Sequence, residues 1–121
     1  MIKDFFSFLE ASPVNFLACK EIQHRLDRAG FVSVNACDAI QLRQPGDKFY
    51  ITKNDSSVYA FHLGKRPLCD AGFHLICAHC DSPTFRIKPK PEICVQGKLI
   101  KLNVEAYGGV IFNTWFDRSL S

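Results

Sequence analysis

Four residues with side chains able to do chemistry crowd into the stretch LICAHCDSP, residues 75 to 83: Cys77, His79, Cys80 and Asp81. Two thiols at C-x-x-C spacing can chelate a metal or cycle as a disulfide. An imidazole two places before a carboxylate can instead form one edge of a metal site, the carboxylate hydrogen-bonding the ring or polarising a water. The third reading is a buried strand that ends in polar residues.

A strand over 72 to 80 would turn Cys77, His79 and Asp81 to one face and Ile76, Ala78 and Cys80 to the other. The two thiols would then not converge. A zinc knuckle or redox pair places its cysteines at a tight turn or helix start, and the apolar run FHLICA offers neither; nor is there a second C-x-x-C. His79 and Asp81 share a face at a strand end, where the ligands of α/β sheets bind. On the residues alone, that metal edge stands beside the plainer reading of a strand-end histidine next to a turn-forming DSP.

The remaining candidates have structural readings. His24 reads as a solvated helix residue, and His62 and His74 as packing or surface residues of strands. Gly108-Gly109 lacks the rest of a phosphate loop and reads as a β-turn. Trp115 to Arg118 could serve an interface, since aromatic residues and arginine dominate contacts, or be core with a structural Asp117-Arg118 pair.

The elements that must position these residues start with Ile2, Phe5, Phe6 and Leu9, spaced to line one face of a short helix. Ser12-Pro13 stops it and starts a second helix, serine capping and proline entering at the first position. Val14, Leu17, Ala18, Ile22, Leu26 and Ala29 repeat helically to Gly30, a left-handed cap. Strands are expected near 48 to 53, 58 to 64, 72 to 80 and 98 to 107, the first two forming a hairpin across the NDSS turn. Three prolines in SPTFRIKPKPE bar a central strand there and mark a joint between two structural units.

The bulk numbers narrow the classes. A chain of 121 residues, 47% hydrophobic, can bury a core without covalent staples. A net charge of +3 spread along the sequence gives no basic stripe for nucleic acid. The N-terminal apolar run is short and interrupted by Asp4 and Glu10, so neither a signal peptide nor a membrane span is expected. Cytoplasmic location follows as the expectation, with the six cysteines reduced.

AHCDSP at 78 to 83 closely resembles the AHTDSP element of the aspartyl aminopeptidases of the M18 family, dinuclear zinc metallopeptidases, with Cys80 where threonine is usual. FFSFLEASPVNFLACKEIQHRLDRAGF resembles the family's opening helices and FYITKNDSSVYAFHLG its following hairpin. VEAYGGVIFNTWFDRSLS is similar to the family's glycine-rich segment before its TWFDR element. The departures are Leu17 for histidine, Val110 for a third glycine, Phe112 for tryptophan and Ser119 for aspartate; none touches His79 or Asp81.

The resemblance implies an α/β fold: the N-terminal part of a zinc-peptidase α/β sandwich catalytic domain at residues 1–84, then the beginning of an inserted β-rich dimerisation domain at 85–121. It implies removal of single N-terminal residues, aspartate or glutamate, from peptide substrates by two zinc ions. His79 would be a terminal zinc ligand and Asp81 the catalytic-site carboxylate that orients it. The family's other ligands and its general-base glutamate are expected downstream of TWFDR, so this chain alone is expected to be inactive, poorly soluble and part of a homo-oligomer when complete, with neither nucleic acid nor membrane as partner. Two alternatives stand beside it: a non-catalytic truncated product associating through the β-rich segment, and a small independent zinc-binding module.

Overall fold

The computed structural model describes residues 1–37, 44–109 and 111–114, and the chain folds as two compact units, Met1–Asp81 and Ser82–Ser121. In the first unit, helices α1 (Ile2–Ala11) and α2 (Asn15–Arg28) precede strands β1 (Val32–Ser33), β2 (Lys48–Lys53) and β3 (Ser57–His62), and a single helical turn, α3 (Leu68–Ala71), follows. β1 runs parallel to β2 and β3 antiparallel to it, so β2 is the central strand.

The two helices form where the apolar spacing requires them. Their junction differs from expectation: α2 starts at Asn15 with Val14 as its N-cap, while Ser12 closes α1, its amide donating to the Leu9 carbonyl at 3.1 Å. Pro13 therefore lies ahead of the helix rather than in its first position, and the Ser12 hydroxyl is buried without a hydrogen-bond partner. Gly30 ends α2 with φ of 81°, a left-handed geometry that costs glycine little. Arg25 joins the helices, donating to Glu21 at 2.7 Å and to Asp4 at 2.9 Å while its guanidinium lies over the Phe8 ring.

Among the described residues β2 holds half of the buried apolar side chains, with Phe49 and Tyr50 joining Ala18 and Cys19 of α2. Adjacent strand residues face opposite sides. Phe49 accordingly stacks on its cross-strand neighbour Phe61, ring centroids 4.8 Å apart, while the Tyr50 hydroxyl donates to Asp27 of α2 at 2.8 Å. Burial is the larger cause that raises the Tyr50 pKa, the Asp27 bond adding to it. The hairpin turns at Asn54-Asp55, both at positive φ, with the Ser56 amide donating to the Lys53 carbonyl. That is the type I′ turn whose twist matches paired strands.

Residues 72 to 80, expected as a third strand, carry neither helix nor ladder pairing among the described residues. Apolar periodicity states a preference; a strand also needs a partner backbone. Phe73, Leu75 and Ile76 are 81%, 83% and 96% exposed.

The second unit is an antiparallel pair, β4 (Thr84–Val95) and β5 (Leu99–Tyr107), turning at Gln96-Gly97, again at positive φ. No central strand runs through the proline-rich segment, as expected; β4 passes through it as one strand of a two-stranded pair. Its register jumps between Ile87 and Glu92, and Lys88 to Pro91 bulge out opposite Asn103, so Pro89 and Pro91 take no ladder position. Gly108 bends the chain with φ of 96°, where an added Cβ would meet the Pro83 Cα at 3.2 Å. A short 3₁₀ turn follows at Phe112–Thr114.

Candidate functional site

Gly72, at φ of 65°, ends α3 and delivers the chain into the exposed segment that carries the candidate residues. At its far end His79 and Asp81 come together. His79 Nδ1 lies 2.7 Å from the Asp81 main-chain oxygen and 3.1 Å from its carboxylate Oδ1.

A main-chain carbonyl can only accept, so the shorter contact requires Nδ1 to carry the proton and donate. The neutral ring then keeps its lone pair on Nε2. That is the arrangement of a metal-binding imidazole, one nitrogen fixed by an oxygen acceptor and the other available to a cation. The His79 side chain is 81% exposed and that of Asp81 43%, so the pair stands in solvent and contributes little to stability. Its value is in aiming the ring.

The two neighbouring thiols differ in exposure. Cys77 is exposed, whereas Cys80 is half-buried. Burial, then the neighbouring Cys80 and the charge of Asp55, push the Cys19 thiol up from 9.0 to about 11. Sequence reading missed this perturbed thiol, since nothing local marks a helix cysteine as buried. His24, His62 and His74 are exposed on α2, β3 and the segment after Gly72. Among the described residues no three His, Cys, Asp or Glu side chains gather in a metal-holding group. Trp115 to Arg118, along with Val110 and Ser119, lie outside the described residues.

A structural zinc takes about four protein donors and a catalytic one about three. The fit is therefore to one corner of a centre: one imidazole donor with its orienting carboxylate. No described helix is long and apolar enough to cross a membrane.

Comparison with known proteins agrees with the sequence motifs. The family model for M18 peptidases, described as aminopeptidase I zinc metalloprotease, matches residues 8–121. A probable M18 family aminopeptidase 2 from Clostridium novyi is 44% identical over 118 residues, 98% of this chain and 27% of that protein. Among solved structures, one described as the Ape4 and Nbr1 complex superposes with a TM-score of 0.83 at 37% identity, over 95% of this chain and 22% of that one. The S. cerevisiae mApe1 dodecamer gives 0.81 at 26% identity, over 96% and 27% respectively. This chain thus spans about a quarter of the length of the curated relatives it matches.

Proposed function

Because this chain belongs to the M18 family of aminopeptidase zinc metalloproteases, we propose that it supplies one corner of a two-zinc centre that removes N-terminal aspartate or glutamate from peptides. His79 binds zinc through Nε2, and Asp81 holds the ring by accepting from Nδ1. The observation that carries this reading is the double contact of Nδ1 with Asp81, at 2.7 and 3.1 Å.

Zinc bound there supplies Lewis-acid polarisation of the scissile carbonyl and a water acidic enough to attack it. The chain's own residues have narrower duties. Asp81 keeps the proton on Nδ1 and limits ring rotation, so Nε2 reaches the ion with its lone pair aligned. The remaining donors and the general base come from outside the described residues.

The same reading divides the chain into the first part of a catalytic domain at 1–84 and the opening of a β-rich assembly domain at 85–121. The separation of two compact units and the self-contained β4–β5 pair support that division. Assembly into a homo-oligomer follows, in keeping with the dodecamer among the structural neighbours. A cytoplasmic location suits six cysteines that are free thiols among the described residues; cell fractionation tests it.

Zinc analysis and peptidase assays on the complete two-zinc protein that carries this chain test the function. The expected result is cleavage of Asp- and Glu-aminoacyl substrates in preference to Leu-aminoacyl ones, abolished together with one zinc equivalent in His79→Ala. A variant with full zinc content and activity would overturn the assignment.

A further inference from the structure

We propose that Gly108 is a positioning residue for the metal edge. Lacking a Cβ, it lets Pro83 seat close to the base of the β4–β5 pair, and Pro83 in turn fixes the Asp81 carbonyl that holds His79 Nδ1. The proposal rests on the reading of His79 as a zinc ligand.

An added Cβ at Gly108 would stand 3.2 Å from Pro83 Cα and 3.5 Å from its Cβ, whereas at the other glycines the same atom would meet open space. The close approach is built into the ladder. Thr84 and Tyr107, the residues next to Pro83 and Gly108, are its closing pair, and the Arg86 guanidinium lies 4.1 Å over the Tyr107 ring. On the other side of Pro83, the Asp81 main-chain oxygen accepts from His79 Nδ1 at 2.7 Å and the carboxylate lies at 3.1 Å.

Only Ser82 separates Asp81 from Pro83. A residue ahead of proline is driven to extended backbone, and proline holds its own φ near about −65°. The link therefore has few soft torsions with which to absorb a displacement. Pro83 is exposed and can give way, so a methyl group at position 108 moves it by a few tenths of an ångström. Carried along the link, a shift of that size takes the 3.1 Å carboxylate contact past the roughly 3.2 Å limit of a good N–H···O bond. The ring then loses part of its bias toward a protonated Nδ1. The other tautomer, with its proton on Nε2, has no lone pair there for a cation.

The test uses the complete protein that carries this chain, with Gly108→Ala, Pro83→Ala and Gly97→Ala. Pro83→Ala adds no bulk and only frees the link, so it decides the matter where Gly108→Ala fails to fold. Gly97→Ala strains the far turn of the same pair at φ of 65° with open space around it, and serves as the control for lost ribbon stability. NMR of zinc-free protein carrying isotopically labelled histidine reads the His79 tautomer, its signal assigned by loss in His79→Asn, and chelator competition reads zinc affinity. The expected result is a protonated Nδ1 in the native protein and in Gly97→Ala, and a mixture of tautomers in the other two variants. Zinc affinity in those two should fall roughly three- to tenfold, at or below the low end for outright loss of such a partner. An unchanged tautomer and affinity in both Gly108→Ala and Pro83→Ala would overturn the proposal, as would an equal loss in Gly97→Ala. The two readings fail separately: tautomer shifts accompanied by full zinc binding in His79→Asn would sink the zinc assignment and leave the anchoring of Asp81 standing.

Discussion

A main-chain oxygen 2.7 Å from His79 Nδ1 decides which imidazole nitrogen is protonated, and the Asp81 carboxylate at 3.1 Å reinforces it. Asp81→Asn keeps the shape and the carbonyl contact but removes the negative charge, so zinc affinity is expected to fall by about tenfold, toward the low end of the range for such partners; competition with a chromophoric chelator measures it. Cys19 gives a second expectation at this scale. Its pKa is raised from 9.0 to about 11 in the folded chain, by burial first and then by Cys80 and Asp55. The folded state then binds more protons than the unfolded one between those values, so stability is complete below pH 9 and is lost as pH rises through about 11. Urea midpoints across that window should fall for the native protein and flatten for Cys19→Ala. The His79–Asp81 pair was legible in the sequence because both partners sit in one short motif. The burial of Cys19 was not, since only the packing of α2 brings it about.

The elements divide along similar lines. Both helices, the β2–β3 hairpin and the strand now seen as β5 could be read from periodicity and turn chemistry, which are local properties. β1 is only two residues long and exists by pairing with β2, so no local pattern announces it. The prolines were read as barring a central strand; in the two-stranded pair a bulge between Ile87 and Glu92 sets them aside and lets the ladder resume beyond them. Segment 72 to 80 has a strand's composition and no ladder among the described residues, because pairing is not a property of one segment. The bend after β5 makes a sharp prediction. Gly108→Ala, at φ of 96° and with Pro83 Cα 3.2 Å from the new Cβ, should cost about 1–2 kcal/mol or more in urea denaturation. Gly109→Ala, with open space around the added carbon, should cost less than half as much.

For the whole molecule, the balance of buried and exposed apolar surface is the main physical fact. The buried apolar side chains of the described residues are Ala18, Cys19, Phe49 and Tyr50, whereas Phe73, Leu75, Ile76 and much of α1 face outward. Exposed apolar surface of this kind drives association. The 121-residue chain produced by itself should elute from size-exclusion chromatography, with light scattering, as mixed oligomers rather than a monomer; a single folded monomer would contradict that. The two units and the family carry the reading of an aminopeptidase, and its central claim lies in the orientation of one ring. Anomalous diffraction at the zinc edge from zinc-loaded crystals tests it most directly. The predicted result is a zinc peak about 2.0–2.1 Å from His79 Nε2, with Nδ1 still held by Asp81. A peak ligated by Nδ1, or by the sulfur of Cys77 or Cys80, or a complete centre formed without His79, would contradict it.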